Sequence, residues 1–200
     1  MNASLAEVGK MKRIGILALQ GAVAEHMHAL SKLQNVTTLA VKTIDEIKEV
    51  DGLILPGGES TAMGKLLDYF QMLEPLKNLI NQGLPVWGTC AGMILLAKEI
   101  SAQETSYLQA MDTVVKRNGY GSQLDSFQTT ASIPEISATP IPLTFIRAPY
   151  IESAKENVKV LAKVDNKIVA AQQNHMLATA FHPELTNDLS FHRYFVEKVV

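Results

Sequence analysis

The chain has 200 residues but only one cysteine, Cys90. A lone thiol cannot close an intramolecular disulfide, so a reducing compartment, the cytoplasm, is the expected setting. Basic charge is also scarce: 18 Lys and Arg stand against 20 Asp and Glu, with no basic run, which argues against nucleic acid as a partner. No apolar run approaches the roughly 20 residues of a membrane-spanning helix, so no membrane partner is expected. The opening "MNASLAEVGKMKR" lacks the apolar stretch of a secretory leader. Internal repeats, low-complexity tracts and linkers are absent too. Residues 1–11 read as a disordered extension and 12–200 as a single domain.

Short branched apolar runs alternate with segments of helical spacing in the first half. "RIGILAL" (13–19), "VTTLAV" (36–41), "GLILP" (52–56) and "PVWG" (85–88) read as strands. Between them, 22–34, 44–50, 61–73 and 75–83 read as helices, with Val23, Met27, Leu30 and Leu33 on one side of the first and Pro75 opening the last. "AGMILLAKEI" (91–100) reads as an apolar helix. This alternation predicts an α/β fold with a mostly parallel sheet and helices on both faces. The second half changes character. Residues 111–147 read as strands and turns, 158–173 as a hairpin turning at Asp165-Asn166, 177–184 as a strand and 189–200 as a closing helix. An antiparallel portion is therefore added to the parallel sheet.

Cys90 lies in "GTCAG", a G-x-C-x-G pattern between a strand and a helix. The pattern has the form of a nucleophile elbow with sulfur in place of a serine oxygen. The turn lifts the side chain above the sheet edge, the helix start favours thiolate, and the Ala91 N–H points where an oxyanion would form. A free cysteine is most often a small buried hydrophobe, and a nucleophile also needs a base. Of the five histidines, His182 in "AFHPEL" is the candidate. On an extended segment residues two apart point the same way, so Glu184 is expected to orient its ring. His26, His28, His175 and His192 have bland readings on helices or in a turn. No second Cys or His stands at metal-ligand spacing from Cys90, so no metal is expected.

"LPGGESTAMGK" (55–65) is not a phosphate-binding loop. Five residues separate Gly58 from Gly64, and Leu66 stands where Ser or Thr is required. Gly57 and Gly58 instead offer backbone N–H groups at the sheet edge as a second oxyanion donor, and Ser60 is placed to cap the next helix.

"GTCAGMILLAKE", "LPGGEST" and "FHPELT" together resemble the triad, or class I, glutamine amidotransferases. "IGILALQGAVAEH" (14–26), "VVKRNGYG" (114–121), "FIRAPYI" (145–151) and "LATAFHPELT" (177–186) resemble, within that group, the glutaminase subunits of pyridoxal 5′-phosphate synthases. The likeness runs from about Lys12 to the end. It implies a single-domain, flavodoxin-like amidotransferase fold. It also implies hydrolysis of L-glutamine to glutamate and ammonia through a γ-glutamyl thioester, with no cofactor of the chain's own. The ammonia would pass to a (β/α)8-barrel synthase subunit in a large hetero-oligomer. Position by position, Cys90 matches the nucleophile, His182 the base and Glu184 its orienter. Gly58, Glu59 and Ser60 match the glutamine-binding loop, and Arg117, Ile146 and Arg147 match further substrate contacts.

An arginine there suits the α-carboxylate of glutamine through a bidentate pair. A surface ion pair is the competing reading for either arginine. Two features depart from the pattern: Ser122 stands where the family carries Arg, and Asn174-His175 replaces a glycine-containing turn. Other readings are a class I glutaminase serving a different synthase, a non-catalytic partner-binding homologue, and a cysteine peptidase or DJ-1-like protein on a similar sheet.

Overall fold

Strands of mainly branched, apolar residues make the frame, and the computed structural model describes residues 10–119 and 126–200 of it. The expected extension at 1–11 lies largely outside the described residues, as do Ser122 and the end of the "RNGYG" motif. Strands β1 (Lys12–Leu17), β2 (Val36–Val41), β3 (Gly52–Leu55), β4 (Val86–Thr89) and β12 (Met176–Thr179) lie side by side in the order β2-β1-β3-β4-β12, all parallel. Every residue of β3, β4 and β12 is buried, so both faces of this half are covered.

Beyond β12 the sheet turns antiparallel through β11 (Lys167–Gln173), β9 (Tyr150–Ala154) and β6 (Met111–Lys116). It ends on β5 (Ala97–Ile100), parallel to β6, while β10 (Lys159–Val164) pairs with β11. The expected hairpin forms, with Asp165 (φ 49°) and Asn166 (φ 60°) both in the left-handed region, as a tight two-residue turn requires. A separate ribbon, β7 (Ser126–Ala131) and β8 (Ile141–Ile146), packs Phe127 on Phe145 with ring centroids 4.5 Å apart.

Helices α1 (Val23–Leu30), α2 (Ile44–Lys48), α3 (Ser60–Tyr69) and α4 (Leu73–Asn81) fill the crossovers of the parallel half, and α5 (Ala91–Leu96) follows β4. Thr43 and Glu46 form a reciprocal capping box on α2. Several expectations need correcting. Helix α4 begins at Leu73, so Pro75 sits third in its first turn, where its missing N–H has no intrahelical partner to lose. The apolar run 91–100 is not one helix. It leaves helical geometry at Ala97 (ψ 142°) and continues as β5, because the sheet edge at β6 offers backbone partners to 97–100. The closing segment splits into α6 (Ser190–Tyr194) and a π turn, Phe195–Val199.

The run 177–184 is strand only to Thr179, and Pro183–Leu185 is a 3-10 turn. Proline supplies the helical φ that starts this turn. In α1 the buried face is His26, Ala29 and Leu30, with Val23, Met27 and Leu33 packed only partly against the core.

Candidate functional site

Four chain segments leave parallel strands at the same sheet edge, where α/β sheets place their ligands. They are the loops after β1 (Gln20, Gly21, Ala22), after β3 (Gly57 to Ser60), after β4 (Cys90) and after β12 (His182), and all line one cavity of about 590 Å³. Arg117, Asn118, Ile146, Arg147 and Pro149 close its far side. A larger hollow of about 740 Å³ lies beyond the 183–187 turn. It reaches Glu184 but neither Cys90 nor His182, so it is not where the thiol and the imidazole meet.

Register explains how residues 92 positions apart come together. β4 and β12 pair in parallel with Thr89 opposite Thr179. The N–H of Cys90 donates to the Thr179 carbonyl at 2.8 Å, so the elbow and the segment leading to His182 leave the sheet at one level. Cys90 holds φ 48°, ψ −101°, a costly backbone state for a residue with a Cβ. A Cβ on Gly88 would run into the carbonyl of Gly92, and one on Gly92 into the carbonyl oxygen of Leu55. The two glycines of G-x-C-x-G are there for this close passage of backbone. The sulfur caps nothing in α5 and lies 4.0 Å from the Ile146 carbonyl.

His182 is anchored by its N–H, which donates to the Thr144 carbonyl at 2.8 Å. Its Nδ1 lies 2.7 Å from Glu184 Oε1. The contact expected from extended geometry thus forms by another route: the 3-10 turn swings Glu184 back under the ring. Burial pulls the imidazole pKa down. Hydrogen bonds and charge from the Cys90 sulfur and the Glu184 carboxylate outweigh it and raise it to about 10. His182 therefore holds a proton at neutral pH while it faces Cys90.

The glycine loop is held from the β1 side. The Ala22 N–H donates to the Gly57 carbonyl at 2.9 Å, and the Glu59 N–H donates to Gln20 Oε1 at 2.9 Å. Gly57 lies flat against the His182 ring: a Cβ there would come within 2.9 Å of Nδ1 and closer still to Cε1. Ser60 does not cap α3. Glu59 does, accepting from the N–H groups of Thr61 and Ala62, while the buried Ser60 hydroxyl has no partner among the described residues. Glu59 also pairs with Arg117 at 3.0 Å, and Arg117 donates to Thr61 Oγ1 at 3.0 Å. Arg117 thus braces the loop while it also lines the cavity. Arg147, exposed and at φ 41°, borders the same cavity with no ion pair among the described residues.

The residues expected from the sequence line this cavity, save Glu184, which lies under the His182 ring. Three that shape it were not expected. Gln20 ties the glycine loop to β1. His26 and His192, read as bland, are fully buried behind Glu184. A signal was available for both: His26 falls one turn before Ala29 and Leu30 on α1, and His192 one turn before Phe195 and Val196. Among the described residues no group of three His, Cys, Asp or Glu side chains is arranged to hold a metal ion.

The SNO glutamine amidotransferase family model matches residues 16–200. The chain is 57% identical over 189 residues to the pyridoxal 5′-phosphate synthase subunit PdxT of Ruminiclostridium cellulolyticum, covering 94% of this chain and 100% of that one. It is 55% identical over 188 residues to the PdxT subunit of Haemophilus influenzae, covering 92% and 97%. Among solved structures, a glutamine amidotransferase at 38% identity aligns with a TM-score of 0.85, covering 92% of this chain and 97% of that one. A putative GMP synthase protein from Thermoplasma acidophilum, 17% identical, aligns at a TM-score of 0.65 over 93% and 92%, a likeness of fold alone.

Proposed function

The chain belongs to the SNO glutamine amidotransferase family, and on that premise we propose how its residues release ammonia from L-glutamine. It is a glutamine-hydrolysing subunit whose ammonia feeds pyridoxal 5′-phosphate synthesis. In our reading Cys90 is the nucleophile, His182 the acid and base, and Glu184 the group that orients His182. The observation that carries this is the contact chain at the elbow. A cysteine in a strained backbone state faces an imidazole whose other nitrogen is 2.7 Å from a buried carboxylate.

Glutamine enters the 590 Å³ cavity with its side-chain amide toward Cys90. Arg147 receives the α-carboxylate; Arg117 and Glu59 keep the 57–60 loop in shape around it, with Ser60 and the Ile146 backbone beside the substrate. With its thiol proton on His182, the Cys90 sulfur attacks the amide carbon, and the oxygen takes the negative charge. The N–H groups of Ala91 and of the Gly57-Gly58 loop stabilise that oxyanion. His182 gives its proton to the leaving nitrogen, and ammonia departs from a γ-glutamyl thioester. His182, now neutral, takes a proton from water, the hydroxide attacks the thioester, and glutamate and the thiolate–imidazolium pair return. The chain works in the cytoplasm as one domain over 12–200, docked on a (β/α)8-barrel synthase subunit in a larger assembly that receives the ammonia.

The test is ammonia release from L-glutamine by the full chain, with and without the matching synthase subunit. Release that rises with the synthase and vanishes in Cys90→Ala is expected, with synthase binding by that variant intact. Unchanged turnover in Cys90→Ala overturns the nucleophile assignment. Release that responds to a different synthase instead overturns the partner.

A further inference from the structure

Glu184 uses only one of its oxygens on His182. The other, Oε2, is buried and lacks a hydrogen bond of good geometry, and Nε2 of His26 lies 3.4 Å from it. The same His26 nitrogen is 3.3 Å from the hydroxyl of Thr89, the residue before Cys90. On the opposite side of the ring, His26 Nδ1 is 3.0 Å from Nε2 of His192. Both rings are completely buried, on α1 and α6, and the edge of each meets Trp87. Two histidines thus stand in line behind the carboxylate.

The protons on this line follow from what each nitrogen can reach. Nδ1 of His192 has no partner among the described residues. A buried N–H without an acceptor is rarer than a buried lone pair without a donor, so the His192 proton belongs on Nε2. It then donates to His26 Nδ1, which leaves the His26 proton on Nε2, facing Glu184 and Thr89. We infer that His26, its tautomer set by His192, is a positioning residue for the reaction proposed above: its Nε2–H faces the second oxygen of Glu184 and keeps the first on His182.

Neutrality matters to this role. Burial holds both rings uncharged, pushing His26 well below its ordinary value and His192 down to about 4. A neutral N–H 3.4 Å from Oε2 favours one setting of the carboxylate without cancelling its charge. A cationic His26 would compete with His182 for that charge and weaken the stabilisation of the imidazolium. Without His26 beside it, Oε2 would lose its polar neighbour at 3.4 Å, and the carboxylate would be freer to turn away from His182.

The inference rests on the triad reading, and the test separates the two. Glutamine hydrolysis by the full chain with its synthase subunit is measured for His26→Leu, His26→Gln and Cys90→Ala, alongside Tm. Leucine removes the donor; glutamine places an amide N–H near the position of imidazole Nε2. His26→Leu is expected to lose about 10- to 100-fold in kcat with KM within about twofold. His26→Gln is expected to recover much of that loss at a similar Tm. Equal losses in the two variants, or turnover in His26→Leu within about twofold of the parent while Cys90→Ala is inactive, overturn this inference alone. An active Cys90→Ala overturns the reading beneath it. Should His26→Leu fail to fold, imidazole 15N spectra of the unaltered chain decide: neutral rings protonated on Nε2 in both His26 and His192 are expected, and a proton on His26 Nδ1 refutes the assignment.

Discussion

Replacing Gly57 by alanine adds one methyl group, and that group lands on His182. The new carbon would lie 2.9 Å from Nδ1 and nearer still to Cε1. Non-bonded carbons settle at about 3.5–4.0 Å, so ring and loop must separate by roughly an ångström. Neither yields readily. The loop is held through Gly57 and Glu59 to the β1 side, and the ring is held by its bond to Glu184 and the backbone bond to Thr144. Overpacking of this kind costs about 1–3 kcal/mol of stability. A displacement of about 1 Å at a reacting group costs about 100-fold in rate, or about 2.7 kcal/mol of barrier.

Gly57→Ala should therefore stay folded and lose about two orders of magnitude in kcat/KM, read as ammonia release with the synthase present. The loss should act through the ring, so adding Gly57→Ala to a His182→Gln background should change little, because the two substitutions disturb one contact. Turnover within about threefold of the parent would refute the reasoning. A full 100-fold additional loss in the double variant would place the effect in the oxyanion loop instead.

Three more outcomes can be checked with standard assays. In the unfolded chain His26 and His192 gain protons near pH 6.5, but in the fold both stay neutral, His192 down to about 4. Stability should fall as pH drops from about 6.5 toward 4, by up to about 1.4 kcal/mol per pH unit for each ring. His182 has the opposite sign: its contribution is complete below pH 6.5 and disappears as pH rises through about 10. Urea midpoints against pH would show both limbs, and His26→Gln should flatten the acid one; an unaltered acid slope contradicts the buried neutral pair. Asp112 accepts from the side chains of Lys98, Asn157 and Gln173 at 2.8–2.9 Å, and these donors hold its carboxyl well below the usual range. Asp112→Ala should cost about 2 kcal/mol and lower Tm by about 4–8 °C, and an unchanged Tm refutes the estimate. Arg147→Ala should raise KM for glutamine about tenfold with less effect on kcat, and an unchanged KM removes Arg147 from carboxylate binding.

The comparison of sequence and structure is clearest at particular residues. The alternation of branched strands and amphipathic helices made the parallel half legible because burial on both faces leaves a continuous apolar run. The G-x-C-x-G elbow was legible for a similar reason, since backbone crowding at Gly88 and Gly92 admits no side chain. Misreadings came where two local tendencies were close. Residues 91–100 suit a helix throughout, and only the open edge at β6 turns 97–100 into a strand. Ser60 has the chemistry of a cap, yet Glu59 reaches the free N–H groups of α3 first. His182 and Glu184 meet as expected, but through a 3-10 turn instead of a strand.

By itself the sequence determined the class of fold, the family, and which candidate side chains gather at the sheet edge, because those depend on residue type and on spacing within single segments. Tertiary structure alone decided what depends on several segments meeting. The register of β4 against β12 sets Cys90 beside His182. The pairing of Arg117 with Glu59 ties the glycine loop to the far side of the cavity. The convergence of α1 and α6 puts two neutral imidazoles in line behind Glu184. Each is a contact across more than 50 residues of chain, and no local propensity encodes it.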